Sequence, residues 1–257
     1  VIMAIIGIGI GGAFLLSMGL SVPLATLLGL QGLFWLTVVF AIMGMGLVMT
    51  IPKTAVPAEE PVQPGALDMH PVWLLSFSVF LLHGAMTLMF VSLPLMLVDQ
   101  FGFSLVEHWK IYVPAMAGSI VLMLPVLRKV GSSHSESSML PWAFIVLAIA
   151  TGLLPFSANL AALGILLAAY FLGFNVLEAS MPSLLSRITG SRGRGRRLGI
   201  YSTFQFLGAF FGGVAGGWLL GRYGSEAALL AAAVVSLAWG GVLKWSSKSV
   251  FPTGESR

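Results

Sequence analysis

Six long stretches of the chain contain no Asp, Glu, Lys or Arg. They cover residues 1–52, 71–98, 111–127, 137–177, 198–221 and 227–243. A helix needs about 20 apolar residues to cross a hydrocarbon core about 30 Å thick, so the first and fourth stretches each have room for two passes. Turn-forming residues place their breaks at 28–32 (LGLQG) and 155–159 (PFSAN). The pattern predicts an all-α integral membrane protein with eight spanning helices, and it lacks the alternation of barrel strands.

Composition excludes several other classes of protein. Of 257 residues, 58% are hydrophobic and 9% are charged, which does not describe a soluble domain. The chain has no cysteine, and its four histidines are too scattered to form a local metal motif. The sequence contains neither a phosphate-binding glycine loop nor a hydrolase nucleophile elbow. We therefore predict no metal, no cofactor and no enzymatic activity.

The basic residues predict which side of the membrane each loop faces, since short cytoplasmic loops are enriched in Lys and Arg. With the linker after Ile51 inside, eleven of the thirteen basic residues are cytoplasmic, and only Lys110 and Arg222 lie outside. The arginine-rich segment 187–197 is then an orientation signal between two spans rather than a nucleic-acid patch. We predict a multi-pass membrane protein with this orientation.

The chain divides at a proline-rich segment, residues 53–70, which predicts a cytoplasmic linker. Residues 1–52 would form two helices, residues 71–246 a bundle of six, and residues 247–257 a cytoplasmic tail. Val1 lies inside an apolar stretch without an initiating Met. We expect from this that further helices precede the chain in its complete form.

Glycines cluster in the first and seventh predicted helices. They include Gly12 and Gly19 in the first, and Gly208, Gly212, Gly213, Gly216 and Gly217 in the seventh. Small residues let helix backbones approach closely within a membrane. Static packing explains this pattern, and so does an interface between two bundles that rock against each other. The two helices would hold equivalent places in two parallel halves.

Three segments carry a resemblance to a known family. These are EHWKIY (107–112), FNVLEASMPSLLS (174–186) and GIYSTFQFLGAFFGGVAGGW (199–218). Together with the helix pattern they resemble helices five to twelve of the major facilitator superfamily, and its YajR-like branch of bacterial drug:proton antiporters in particular. The resemblance implies a multi-pass carrier of a bacterial inner membrane that uses the proton gradient to expel small amphipathic compounds. Its partners would be the lipid bilayer, a small-molecule substrate, the proton and the missing N-terminal helices.

Glu178 is the first candidate for carrying that proton, because it is the only acid in a long apolar stretch. Counted from Asn159 at 1.5 Å per residue, it lies about 28 Å along its helix, near the cytoplasmic edge of the hydrocarbon. It can pair with an arginine of the adjoining loop, which is a structural role. Alternatively it lines the inner mouth of a cavity, one turn from Asn175, and alternates between protonated and charged forms.

Other polar side chains predict where a substrate cavity would lie. Ser76, His83 and Thr87 share one helix face, and His83 lies about 18 Å past Pro71, near mid-membrane. An imidazole at that depth can exchange protons, or it can simply bond to a neighbouring helix. Tyr201 and Gln205 lie one turn apart and would face the same space, although interhelical packing also explains them.

The sequence therefore favours a secondary transporter, with proton-coupled drug efflux ahead of transport of another solute or of lipid. A receptor or scaffold that does not transport is the alternative from a different class.

Overall fold

The computed structural model describes residues 2–50, 69–129, 133–188 and 193–250. Across these ranges every long element is a helix and no strand occurs. The helices are α1 (Ile2–Met49), α2 (His70–Phe101), α3 (Trp109–Lys129), α4 (Ser133–Leu153), α5 (Leu160–Ile188) and α6 (Arg194–Val250). Short 3-10 turns at Leu105–Glu107 and Leu154–Phe156 precede α3 and follow α4. The predicted class, an all-α membrane protein, is confirmed.

The predicted count of eight helices needs correction. Six helices of the described chain are long and apolar enough to cross a membrane. Two of them contain one non-helical residue each, Gly29 in α1 (φ 64°, ψ 178°) and Gly224 in α6 (φ 85°, ψ 174°). Glycine readily adopts a positive φ, so at each of these positions a single residue changes the direction of the chain. The helical hydrogen bonds then continue without an intervening loop. Gly29 lies in the predicted break at 28–32, and Gly224 lies between the predicted stretches 198–221 and 227–243; at each glycine two helical segments join into one continuous element.

Gly224 divides α6 into a leading arm (residues 194–223) and a trailing arm (residues 225–250). The leading arm packs against α2 through three glycines spaced four residues apart. These pairs are Gly208 with Phe80, Gly212 with Gly84, and Gly216 with Leu88. A Cβ at Gly208 or Gly212 would collide with backbone atoms of α2. The two backbones therefore touch along this glycine seam, which no larger residue would allow.

The trailing arm returns along the same helix in the opposite direction. Ala232 packs beside Leu88, near the far end of the glycine seam. Further along the chain, Trp239 Nε1 donates a hydrogen bond of 2.9 Å to Ser78 Oγ, which lies nearer the start of α2. The contacts of both arms with α2 show that Gly224 reverses the chain, so α6 is a helical hairpin.

The main core lies among α2, α4 and α5, with α3 and both arms of α6 packed around it. Its largest fully buried side chains include Leu75, Leu82, Met89, Phe144, Leu147, Leu163 and Tyr170. Gly173 lets α5 approach α4, since a Cβ there would lie 2.9 Å from the carbonyl oxygen of Ala143. This rigid packing fixes the relative positions of the polar side chains on α2, α5 and α6.

Helix α1 is much less enclosed than the others. Leu15 and Met18 pack against the main core, and α1 contacts α3 and α5. None of the residues in its most apolar window is buried, and Leu27 and Trp35 are 80% and 70% exposed. Most of the surface of α1 therefore has no partner within the described chain.

Short polar motifs define where α3 and α5 begin. Glu107 Oε2 accepts a bond of 2.8 Å from Ser104 Oγ, and its Oε1 lies 2.8 Å from Lys110 Nζ, which fixes the turn before α3. Asn159 Oδ1 accepts the backbone N–H of Ala162 at 2.9 Å and caps α5. The predicted break at 155–159 is confirmed by the 3-10 turn and this cap.

Parts of the predicted domain division lie outside the described residues. These are residues 53–68 of the linker, residues 189–192 of the basic loop, and residues 251–257 of the tail. The described bundle begins with α2 at His70 and extends to Val250 at the end of α6. The division itself and the cytoplasmic assignments stay predictions.

Candidate functional site

Three of the predicted site residues meet between α2, α5 and α6. Gln205 Nε2 lies 2.9 Å from His83 Nε2 and donates a bond of 3.2 Å to Glu178 Oε1. His83 Nε2 and Glu178 Oε2 are 3.8 Å apart. An amide thus links an imidazole and a carboxyl group, and we call these three side chains the polar cluster.

The glycine seam explains how the polar cluster forms. His83 directly precedes Gly84, and Gln205 lies three residues before Gly208, which Gly84 faces. Because the helix backbones touch here, the side chains of His83 on α2 and Gln205 on α6 can reach each other. Glu178 then completes the cluster from α5, where 24% of its side chain is exposed.

The hydrogen bonds of His83 fit a neutral imidazole with its proton on Nδ1. His83 Nδ1 lies 3.2 Å from the carbonyl oxygen of Val79, which can only accept a bond. The lone pair on Nε2 then accepts an N–H from Gln205. If His83 takes up a second proton, Nε2 becomes a donor and the amide must turn or withdraw. The cluster therefore responds to a proton by exchanging hydrogen-bond partners.

The predicted depth of Glu178 was wrong relative to His83. The sequence placed Glu178 near a membrane edge and His83 near mid-membrane, whereas the two side chains are in contact. Counted from Ile188 at the end of α5, Glu178 lies about 15 Å into the helix, and His83 lies about 20 Å from the start of α2. The error arose because α5 runs 29 residues, longer than the hydrocarbon is thick.

Several buried polar atoms near these helices have no hydrogen-bond partner within the described chain. They are Glu178 Oε2, Tyr201 Oη and Ser76 Oγ among the predicted site residues. Tyr201 is only 4% exposed and lies one helical turn before Gln205, which bonds to Glu178. Buried polar groups nearly always bond to protein or to ordered water, so these atoms identify places for a small polar partner.

Two other predicted cavity residues bond elsewhere. Thr87 Oγ1 donates a bond of 2.9 Å to the carbonyl oxygen of His83 within α2. Asn175 Nδ2 donates a bond of 2.9 Å to Ser119 Oγ and so links α5 to α3. Neither side chain joins the polar cluster.

Aromatic rings beside the cluster were not predicted as part of the site. The ring centroid of Phe174 lies 5.8 Å from that of His83, and Tyr170 stacks on Phe174 at 6.4 Å. Phe171 extends this row to Phe90 at 6.3 Å. The signal was present in the sequence, because Phe174 precedes Glu178 by one helical turn.

The predicted packing glycines divide into two sets. Gly208, Gly212 and Gly216 form the glycine seam, and Gly213 lies at ordinary contact distance, 3.4 Å, from Thr87 Cγ2. A Cβ placed at Gly12, Gly19 or Gly217 would meet no atom within 4 Å in the described part of the chain. Gly12, Gly19 and Gly217 therefore make no close helix contact within the described part of the chain.

Two further features lie apart from the polar cluster. Nowhere in the described ranges do three or more His, Asp or Glu side chains gather in a way that could hold a metal ion. A groove of about 900 Å³ lies at the far end of the bundle, between the end of α2 and the 155–159 turn. Its lining includes Gln100, Phe156 and Asn159. None of the predicted site residues lines it.

Comparison with known proteins identifies the class. Residues 75–254 match the model of the Major Facilitator Superfamily, which is more than half of the chain. The chain therefore belongs to the Major Facilitator Superfamily.

Two curated relatives extend the similarity. The inner membrane transport protein YajR of Escherichia coli K12 is 29% identical over 246 residues, which cover 92% of this chain and 54% of YajR. An uncharacterized transporter of Buchnera aphidicola from Acyrthosiphon pisum is 33% identical over 138 residues, or 52% of this chain and 34% of that protein. The chain spans about half or less of the curated relatives it matches.

Proposed function

We propose that this chain forms part of a proton-coupled secondary transporter in a bacterial inner membrane, one that expels drugs or other small amphipathic compounds. The single observation that carries the proposal is the polar cluster of His83, Glu178 and Gln205. Ionisable residues inside a membrane bundle are costly and mark ion or substrate pathways. The superfamily and the transporter names of the relatives support the same class.

The cluster supports proton coupling because its members belong to three different helices. A proton on Glu178 or His83 changes the bonds that Gln205 can make, and Gln205 belongs to the leading arm of α6. The position of lowest free energy for the leading arm therefore differs between the two protonation states. Coupling a proton to a conformational change requires such a difference.

The neighbouring rings support an amphipathic substrate. Phe174 is half-buried and places aromatic surface beside His83 of the polar cluster, and the buried rings of Tyr170 and Phe171 pack behind it. A largely apolar wall with a few polar groups is the usual composition of a small-molecule site. Such a site would bind the apolar part of a compound on the rings and its polar part at the cluster.

Glu178→Gln in the complete gene product tests this function. We expect the variant to lose the pH dependence of drug efflux while it retains drug binding, because glutamine mimics the protonated carboxyl group and cannot release a proton. Transport is measured in proteoliposomes under an imposed pH gradient, and binding by fluorescence. Glu226→Gln is the matched control, since Glu226 bonds to Gln100 away from the cluster.

Each result of this experiment is decisive. Unchanged pH-driven efflux in the Glu178→Gln variant would place the coupling proton elsewhere. A variant that inserts but does not fold would indicate a structural role for Glu178. An unchanged drug-susceptibility panel on expression in an efflux-deficient host would argue against drugs as substrates and in favour of another solute.

A further inference from the structure

The surroundings of Tyr201 differ from those of a residue that lines an open cavity. Its side chain is 4% exposed, and its hydroxyl group has no hydrogen-bond partner in the described chain. Glu178 is in a related situation, because Oε1 accepts a bond from Gln205 while Oε2 has no hydrogen-bond partner there. Two unsatisfied atoms, one a hydroxyl and one a carboxyl oxygen, therefore lie in the same part of the bundle.

Helix geometry shows on which side of Glu178 the tyrosine lies. Tyr201 and Gln205 are one turn apart on one face of α6, and helical side chains lean toward the N-terminus of their helix. The N-terminus of α6 begins at Arg194, in the basic segment 187–197. Tyr201 therefore lies nearer to this basic end of the bundle than Gln205, whose amide bonds to Glu178.

The same face of α6 stays polar toward the basic end. Arg197 lies one turn before Tyr201 and is also buried, at 4% exposure. Beyond it, Arg194 Nη2 donates a bond of 3.1 Å to the carbonyl oxygen of Ser186 on α5. The buried Arg197 and Tyr201 and the half-buried Gln205 thus form a polar stripe from the basic end to Glu178.

We propose that the hydroxyl group of Tyr201 relays the coupling proton, through bound water, between Glu178 and the basic end of the bundle. The inference rests on the proposed function, because it assumes that Glu178 exchanges a proton. It assigns Tyr201 a task other than substrate contact. A water molecule that bridges the Tyr201 hydroxyl group and Glu178 Oε2 would satisfy both atoms.

The relay conserves protons at every step. A hydronium ion on the basic side gives one proton to the phenol oxygen of Tyr201 and becomes water. The original phenol proton passes to the bridging water, which gives one of its own protons to Glu178 Oε2. Tyr201 and the bridging water end in their starting protonation states, and Glu178 becomes neutral. Release of the proton follows the same steps in reverse.

Few other groups can compete for this proton. Of the helices that contact α5, α2 contributes His83 and α6 contributes Tyr201 and Arg197. Residues 2–49 of α1 and 137–153 of α4 contain no titratable residue. In residues 109–126 of α3 the titratable side chains are Lys110 and Tyr112, at its beginning and so at the opposite end of the bundle. In these segments His83 is the titratable side chain that lies against the Glu178 carboxyl group.

The test follows protonation of Glu178 directly rather than drug transport. The complete gene product is subjected to a rapid pH jump, and its carboxyl band is recorded by infrared difference spectroscopy; loss of the band in Glu178→Gln assigns it. We expect Tyr201→Phe to slow the appearance of the band about tenfold or more and to leave its final amplitude unchanged. Tyr112→Phe is the matched control, because Tyr112 is also buried, its hydroxyl group has no hydrogen-bond partner in the described chain, and it lies at the opposite end of the bundle.

The outcomes separate this inference from the proposed function. A Tyr201→Phe variant that protonates as fast as the unmodified protein overturns the relay and leaves the coupling role of Glu178 intact. Absence of any titrating Glu178 band overturns both. A second measurement uses the tyrosine C–O band, which should change together with the carboxyl band in the unmodified protein and not in Glu178→Gln. A tyrosine band that stays constant in the unmodified protein overturns the relay even where Tyr201→Phe does not fold.

Discussion

Helix α1 and the leading arm of α6 have similar sequences and very different surroundings. Both are apolar and rich in glycine, and both lead to a glycine with positive φ and extended ψ, Gly29 and Gly224. The leading arm touches α2 backbone to backbone along its glycines, whereas Gly12 and Gly19 of α1 have no neighbour within 4 Å in the described chain. A glycine pattern therefore shows that a helix can be approached closely, but it does not show which helix approaches it.

The largest effect that we expect follows from the exposed surface of α1. A protein of residues 1–257 alone should show no gradient-dependent flux of any tested drug in proteoliposomes, because alternating access needs two bundles around the substrate. The complete gene product is the positive control. Saturable flux by residues 1–257 alone would contradict this, and would show that a second copy of the chain can supply the second bundle.

A substitution in the glycine seam should have the next largest effect. Gly212→Val places its side chain against the backbone of Gly84, so we expect the protein of residues 1–257 to lose about 1–3 kcal/mol or more of stability. Thermal unfolding in detergent measures the loss. Gly19→Val is the matched control in α1 and should cost far less.

The same pair of variants in the complete gene product sharpens the comparison. If Gly19→Val becomes as costly there as Gly212→Val, α1 has a close partner outside residues 1–257. Equal costs of the two variants in residues 1–257 alone would contradict the difference between the two helices.

The smallest effect concerns the trailing arm of α6. Ser78→Ala removes the bond from Trp239 and should lower stability by about 0.6 kcal/mol, the average for interhelical hydrogen bonds in membrane proteins. Ser92→Ala is the control in α2, since Ser92 bonds to Leu88 within its own helix. Thermal unfolding of both variants should show a loss only for Ser78→Ala. An equal loss in both would mean that the interhelical bond contributes nothing of its own.

Sequence reasoning predicted the fold class and the breaks at 28–32 and 155–159, because apolar length and turn residues are local signals. It also named His83, Glu178 and Gln205 as separate candidates. It could not predict that these three side chains are in contact, because their contact depends on how α2 and α6 pack along the glycine seam. The depth of Glu178 was misjudged for a related reason: helix length beyond the hydrocarbon is not visible in the apolar pattern.

The sequence also did not show which hydrogen-bond partner each polar residue has. Asn175 and Tyr201 both looked like cavity residues in the sequence. In the structure Asn175 bonds to Ser119 on α3, whereas the hydroxyl group of Tyr201 has no partner in the described chain. The difference comes from which neighbouring helix each residue faces, and a single sequence does not contain that information.

The single-residue turn at Gly224 also constrains how the protein is made. The two arms of α6 have almost no chain between them, so during synthesis they have to enter the bilayer together as a preformed hairpin rather than one after the other. Arg222 and Glu226 flank the turn, so in the predicted orientation both cross the bilayer with it. Their formal charges, one positive and one negative, sum to zero, so these two residues add no net charge to the turn.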